Sequence, residues 1–208
     1  MNVKQSYNSW AERYDTDSNK TRDLEAEALR TTLSGFHFNN CLEIGCGTGK
    51  NTEWLLKKAS HITAVDLSDN MLAQAKRKIS SSSILFKQAD ITQAWEFGGR
   101  KYDLICFSLV LEHIERLDHV FQESAAVIAP GGYVYIGELH PYKQYSGTKA
   151  RFDTDEGQHI LTCFNHNISD FAQSAKRYNF QIVHIDEYFD EDNRTKPPRI
   201  LTLLLRKS

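Results

Sequence analysis

NCLEIGCGTGK, residues 40–50, is the stretch on which the reading of the whole chain depends. Cys41, Leu42 and Ile44 form a short apolar run, Gly45, Gly47 and Gly49 break it, and a polar segment with helical spacing follows. That succession predicts a buried strand, a Gly-rich turn and a helix. Alternate glycines let a backbone turn sharply and approach a ligand without interference from Cβ.

Spacing separates the loops built this way. A phosphate-binding P-loop needs a glycine where Ile44 stands and a metal-binding hydroxyl where Asn51 stands. A dinucleotide fingerprint starting at Gly45 needs its third glycine where Lys50 stands. What remains is ExGxGxG, Glu43 to Gly49, and in this the chain resembles the class I S-adenosylmethionine (SAM) dependent methyltransferases. The resemblance implies SAM as cofactor and S-adenosyl-L-homocysteine (SAH) as its product. SAM has no pyrophosphate, so such a loop admits an amino-acid tail in place of phosphates.

Later segments extend the resemblance. HITAVDL, residues 61–67, reads as a second strand with Asp66 at its carboxyl end, where a carboxylate can accept both ribose hydroxyls. Ser68 is a plausible helix N-cap, with Leu67 and Leu72 as its hydrophobic staple. Met71, one turn on, suits an adenine face or a core position. Ile84 to Ala89 reads as a third strand ending at Asp90 and Ile91. The resemblance implies that Asp90 accepts from the adenine amino group and that the Ile91 amide meets a ring nitrogen; the residues alone equally allow Asp90 to cap a short helix containing Trp95. It further implies cofactor contacts at Tyr14, Glu43, Gly45, Cys46, Gly47, Leu67 and Ser108.

YDLICFSL, residues 102–109, is the nearly continuous apolar run of a central parallel strand. The Asn/Asp-Pro-Pro-aromatic motif of enzymes that methylate exocyclic amines of DNA bases is missing at its end, where Ser108-Leu109-Val110-Leu111-Glu112-His113 stands. That argues against such substrates.

Composition narrows the partners. The 208 residues suffice for one domain with a sizeable core, and the net charge of -2 offers no basic excess for nucleic acid or an anionic membrane. The four cysteines stand singly, so neither a metal site nor a disulfide framework is expected. The polar start and the lack of a membrane-length apolar run predict a soluble, cytoplasmic protein. Oligomeric state is not legible.

Tyr7, Trp10 and Tyr14 share one face of a helix expected over residues 3–15. A second helix, Thr21 to Leu33, turns Leu24, Ala28 and Leu29 inward and is expected to cover a sheet edge. Helix Lys50 to Ala59 should bury Trp54. Helix Leu117 to Ile128, stopped by Pro130-Gly131-Gly132, precedes a strand from Tyr133 running to His140. A long polar insertion then reaches Asn167, before helix Ser169 to Arg177, strand Phe180 to Tyr188, the Pro197-Pro198 turn and strand Arg199 to Leu205. The alternation predicts an α/β fold. The resemblance sharpens it to a Rossmann-like, seven-stranded, mostly parallel sheet with an antiparallel last strand and helices on both faces. Residues 1–208 are read as a single methyltransferase domain, with 1–35 an N-terminal helical lid and 141–168 an insertion forming a substrate lid.

Methyl transfer from a sulfonium is an in-line displacement, served mainly by orientation and desolvation. A base is needed only for an acceptor protonated at working pH, and His113 and His140, both after strand ends, are the candidates. Tyr7, Trp10, Tyr142 and Arg151 are candidate substrate contacts. Tyr142, Lys143, Tyr145, Lys149 and Arg151 make a cationic and aromatic set suited to a small anionic acceptor. The alternatives are a non-catalytic SAM-binding domain, a methyltransferase for a protein or RNA partner, and a nicotinamide oxidoreductase.

Overall fold

Seven strands form one sheet in the order β3-β2-β1-β4-β5-β9-β8: β1 is Phe38–Ile44, β2 Ala59–Asp66, β3 Ile84–Gln88, β4 Tyr102–Ser108, β5 Ile128–Leu139, β8 Phe180–Tyr188 and β9 Ile200–Lys207. The computed structural model describes residues 2–97, 99–148, 151–154 and 157–208, with the backbone alone for 151–154 and 157–160. The first five strands are parallel, and β9 inserts antiparallel to both β5 and β8, as the sequence predicts. Strand order reverses beside β1, which pairs with β2 on one side and β4 on the other. A crevice at the carboxyl ends opens at such a switch point.

Both faces of the sheet are buried, which is why its strands read as continuous apolar runs. Leu42, Ile44, Ile105 and Phe107 point to one face, where α5 (Leu117–Val127) and α7 (Ile168–Arg177) bring Phe121 and Phe171. Cys41, Leu104 and Cys106 alternate to the other, where α2 (Lys20–Thr32) brings Leu29. α2 packs on β4, β5 and β9, the middle of the sheet, where an edge was expected. There it buries Glu25 beside Ala28 and Leu29, and the Glu25 carboxyl accepts from the Tyr135 hydroxyl of β5 at 3.1 Å.

Other boundaries shift for local reasons. α1 (Val3–Trp10) is shorter than expected and gives way to turns. α3 (Lys50–Leu55) ends early, leaving Trp54 half-buried with the Lys58 ammonium 5.6 Å from its ring centroid. Pro130-Gly131-Gly132 does not stop α5: the helix ends at Val127, and the three residues lie within β5 as a bulge between the pairs Tyr102–Ile128 and Leu104–Tyr133. The segment around Trp95 is a run of turns and no helix.

After β5 the insertion forms α6 (Pro141–Tyr145) and an antiparallel hairpin of β6 (Arg151–Thr154) and β7 (Gly157–Ile160). Its return segment packs back on the domain, with Leu161 against Trp10 and the Phe164 amide on the Glu112 carbonyl at 2.7 Å. Among the described residues no helix is long and apolar enough to cross a membrane.

Candidate functional site

The glycine loop leaves β1 with its chain folded back on β2: the Gly45 and Cys46 amides both reach the Val65 carbonyl, at 2.8 and 3.0 Å. Gly45 has φ +72°, and a Cβ there would meet Val110 Cγ2 at 2.2 Å, so this glycine is demanded by packing as well as by dihedral. Gly47, φ +54°, differs: the nearest atom to an added Cβ is a Tyr14 ring carbon at 4.0 Å. Its missing side chain faces open space.

That space is a cavity of about 500 Å³, within the range of small-molecule clefts. The walls include Gly45, Gly47, Asp66, Leu67, Met71, Ala89, Asp90, Ile91, Ser108, Val110, His113 and Ile114, with Tyr7 and Tyr14 from the N-terminal segment. Asp66 ends β2, and its two carboxylate oxygens accept the amides of Gly47 and Ser68, each at 2.8 Å. Burial pushes its carboxyl up while those amides pull it down. The Ser68 hydroxyl caps α4 (Asp69–Lys78) by accepting from the Met71 amide at 3.1 Å, which brings buried Met71 to the cavity wall. Asp90 is exposed at the rim and holds its own turn, accepting from the Thr92 amide and hydroxyl at 2.9 and 2.7 Å. The cap inferred for it is therefore a turn cap, with no helix behind it.

At His113 the tautomer can be read from geometry. Nδ1 lies 3.0 Å from the Thr162 carbonyl, which can only accept, so Nδ1 carries a proton, and in the neutral ring Nε2 has the lone pair. The Tyr7 hydroxyl then donates to Nε2 at 2.9 Å. Burial pushes the Tyr7 phenol well above the usual tyrosine range, so it stays a neutral donor. The short helical turn Leu111–His113 is held from below by Glu138, whose carboxyl accepts the Val110 and Leu111 amides at 2.9 and 2.8 Å.

Several candidate residues stand elsewhere. His140 is buried outside the cavity lining: Nε2 donates to Glu187 at 3.0 Å and Nδ1 accepts the Tyr142 amide at 3.1 Å, so the ring caps α6. Burial lowers its pKa against the pull of Glu187. Glu43 turns into the core, bonded to the Thr52 hydroxyl at 2.6 Å, and burial pushes its carboxyl up to about 8. Cys46 is likewise buried away from the cavity lining. Trp10 donates to Asp17 at 2.7 Å and packs on Leu161, bracing the helix that carries Tyr7. Tyr142 is 53 % exposed on α6, outside the cavity. Lys149 and the Arg151 side chain lie outside the described residues.

Some site residues carry no motif. Asn8 ties α1 to the start of α4: its side-chain oxygen accepts the Ser68 hydroxyl at 2.6 Å and its carbonyl accepts the Asn70 amide group at 3.0 Å. Arg22 donates to the carbonyls of Tyr14 and Asp17 and sets its guanidinium 4.3 Å from the Tyr14 ring centroid, fixing that aromatic at the cavity wall.

The chemistry of the lining fits SAM: Asp66 is anchored by two backbone amides and keeps lone pairs free, Leu67, Met71, Ala89 and Ile91 are apolar lining residues, and the side of Gly47 is open.

The chain is similar to known methyltransferases. A family model described as a methyltransferase domain matches residues 42–136. An uncharacterised methyltransferase of Emericella nidulans is 26% identical over 88% of this chain and 77% of its own length. A malonyl-[acyl-carrier protein] O-methyltransferase of Priestia megaterium is 33% identical over 79% of this chain; the match spans only 56% of that relative. The SAH complex of the N-methyltransferase NodS from Bradyrhizobium japonicum superposes with a TM-score of 0.73 at 20% identity, covering 100% of this chain and 99% of NodS.

Proposed function

We propose that the chain is a class I SAM-dependent methyltransferase and that it transfers the methyl group of SAM to an oxygen of a small molecule held in the cavity. The observation that carries this reading is that one cavity is bounded both by amide-anchored Asp66 and by the Tyr7–His113 pair. SAM, when bound, supplies a methyl group on a sulfonium, which leaves as a neutral thioether.

The chain's own part is placement and dryness. Asp66 offers its remaining lone pairs to the ribose, and Gly47 keeps the tail's path clear. Tyr7 and Tyr14 cover the cavity and exclude water. Residues 2–14 act as a lid, supported by the Asn8 bonds to α4, whereas α2 belongs to the domain core; the return segment of the insertion braces the site, supported by the Thr162 carbonyl on His113. Transfer to oxygen is supported by the O-methyltransferase activity in the name of the Priestia relative.

An anionic acceptor has thinner support. Among the described residues that line the cavity, Lys4 is the one with a permanent positive charge, and it is paired with Asp69 at 3.1 Å.

Calorimetric titration with SAM, then an SAH-release screen over acids, phenols and amines, tests the reading. Failure to bind SAM, or to release SAH with any acceptor, would overturn it.

A further inference from the structure

The hydrogen bond between Tyr7 and His113 places a neutral phenol on the lone pair of an imidazole inside the cavity, at 2.9 Å. The ring is set to receive a proton there. Its Nδ1–H is committed to the Thr162 carbonyl, and the strap that bears this carbonyl is fastened on both sides, by Leu161 on Trp10 and by the Phe164 amide on Glu112. The cavity lining includes the apolar Val3, Leu109, Val110 and Ile114, while Tyr14, Glu112, Asp66 and Cys163 act electrostatically on Tyr7, and Glu112 on His113 as well. The Tyr7 ring meets the imidazole edge-on, with centroids 5.6 Å apart.

We infer that Tyr7 is a placeholder, and that the methyl acceptor is a phenolic hydroxyl on an apolar body which takes the place of Tyr7 on His113 Nε2. This rests on the methyl-transfer reading above and names its substrate class. An ordinary phenol has a pKa of about 10 and is protonated at neutral pH, so it needs a base, whereas a carboxylate does not. In the step, an oxygen lone pair of the phenol forms the bond to the methyl carbon as the carbon–sulfur bond breaks. Sulfur keeps the bonding pair and becomes neutral. The phenolic proton passes to His113 Nε2, giving an imidazolium that keeps its Nδ1–H on Thr162 and later loses the proton to solvent. One positive charge enters and one leaves.

The test uses the full chain, with SAM binding measured first by calorimetry. The screen then compares apolar phenols with carboxylic acids and amines of matched size, followed by SAH release. Phenols should turn over, with kcat/KM falling on the acid side as the imidazole becomes protonated. His113→Asn should lower kcat by on the order of a hundred- to ten-thousand-fold while SAM affinity stays within a few-fold. Tyr7→Phe should lower the KM for phenols by roughly two- to tenfold, since it removes one competing hydrogen bond. A protein that binds SAM but turns over acids or amines and no phenol overturns the inference and leaves the methyl-transfer reading standing. A protein that neither binds SAM nor releases SAH with any acceptor overturns both. Phenol turnover without an acid limb removes His113 as base, and a collapse of kcat in Tyr7→Phe removes Tyr7 as placeholder. The wild-type pH profile and Tyr7→Phe decide the matter even if His113→Asn does not fold.

Discussion

Asp66 at the end of β2 accepts the backbone amide of Gly47 at 2.8 Å, so the carboxylate proposed to hold the cofactor also fixes the glycine loop. Its second oxygen does the same for Ser68. One side chain thus ties the glycine loop to the start of α4.

Asp66→Ala is expected to weaken SAM binding by about 1.5–3 kcal/mol, the scale of losing hydrogen bonds to a charged group. It also orphans two amides, so the melting temperature should fall too. Asp66→Asn keeps one acceptor oxygen and should separate the effects: affinity drops, while stability recovers in part. Calorimetry paired with thermal melts checks both, and wild-type SAM affinity in Asp66→Ala would remove the residue from the site.

Gly45 and Gly47 should respond to substitution in different ways. A Cβ at Gly45 runs into Val110 at 2.2 Å, so Gly45→Ala is expected to cost roughly 1–3 kcal/mol of stability from overpacking. Positive φ adds about 1–2 kcal/mol at either position. At Gly47 the space is free, so Gly47→Val should stay folded and lose SAM because the side chain enters the cavity. Denaturant melts and SAM titration of the two variants settle it; a Gly47→Val protein that binds SAM normally would show that the loop's open side is not the tail's path.

The glycine spacing, the Asp66 strand end and the apolar run of β4 were legible because each is local and forced by backbone geometry. The switch point followed from them. What stayed hidden depended on partners distant in sequence. Glu43 and Cys46 sit within the motif, yet alternation along β1 and the loop turns them to the core, Glu43 onto Thr52. His140 follows a strand end as His113 does, but its two ring nitrogens are taken up by Glu187 and by the helix start at Tyr142. The Thr162 carbonyl, which fixes the His113 tautomer, is 49 residues away along the chain and carries no side-chain signature. The Pro-Gly-Gly turn was misplaced because a bulge inside β5 absorbs it.

Stability should fall as pH rises from weakly acidic to weakly basic. Burial pushes Glu25 up to about 7 and Glu43 and Glu138 to about 8, from 4.5. A carboxyl raised in the folded state contributes fully below its unfolded pKa and loses that contribution as pH climbs through its folded value. Between about 4.5 and its folded value, about 7 for Glu25 and about 8 for Glu43 and Glu138, each group holds fewer protons in the unfolded chain, so unfolding becomes easier by about 1.4 kcal/mol per pH unit for each. Glu43→Gln keeps an acceptor for Thr52 and removes one titration, so its stability curve should be flatter across that window. Urea melts at several pH values check the slope, and parallel curves for wild type and Glu43→Gln would show that Glu43 ionises freely in the folded protein.

Asn8 is the place to test whether α1 is a lid. It joins the N-terminal helix to α4 through Ser68 and Asn70, beyond the Lys4–Asp69 pair, which is exposed and worth little. Asn8→Ala keeps the carbonyl that accepts the Asn70 side-chain amide and removes the oxygen that accepts from the Ser68 hydroxyl and the Asn70 backbone amide, leaving that buried hydroxyl short of a partner at a cost of about 1–3 kcal/mol. The helix core does not depend on this bond, because Trp10 is held separately by Asp17 and Leu161. The loss should therefore appear as local opening: faster amide exchange confined to α1 and the first turn of α4, with the sheet amides unchanged. A lid that opens more often must be closed by ligand binding, so the apparent SAM affinity should drop by a similar free energy while the global melt shifts little. Hydrogen exchange of Asn8→Ala with and without SAH reads both quantities at once. If α1 exchanges as slowly as in the wild type, or if SAH does not slow it, the helix is a fixed part of the domain and the cavity is closed by some other segment.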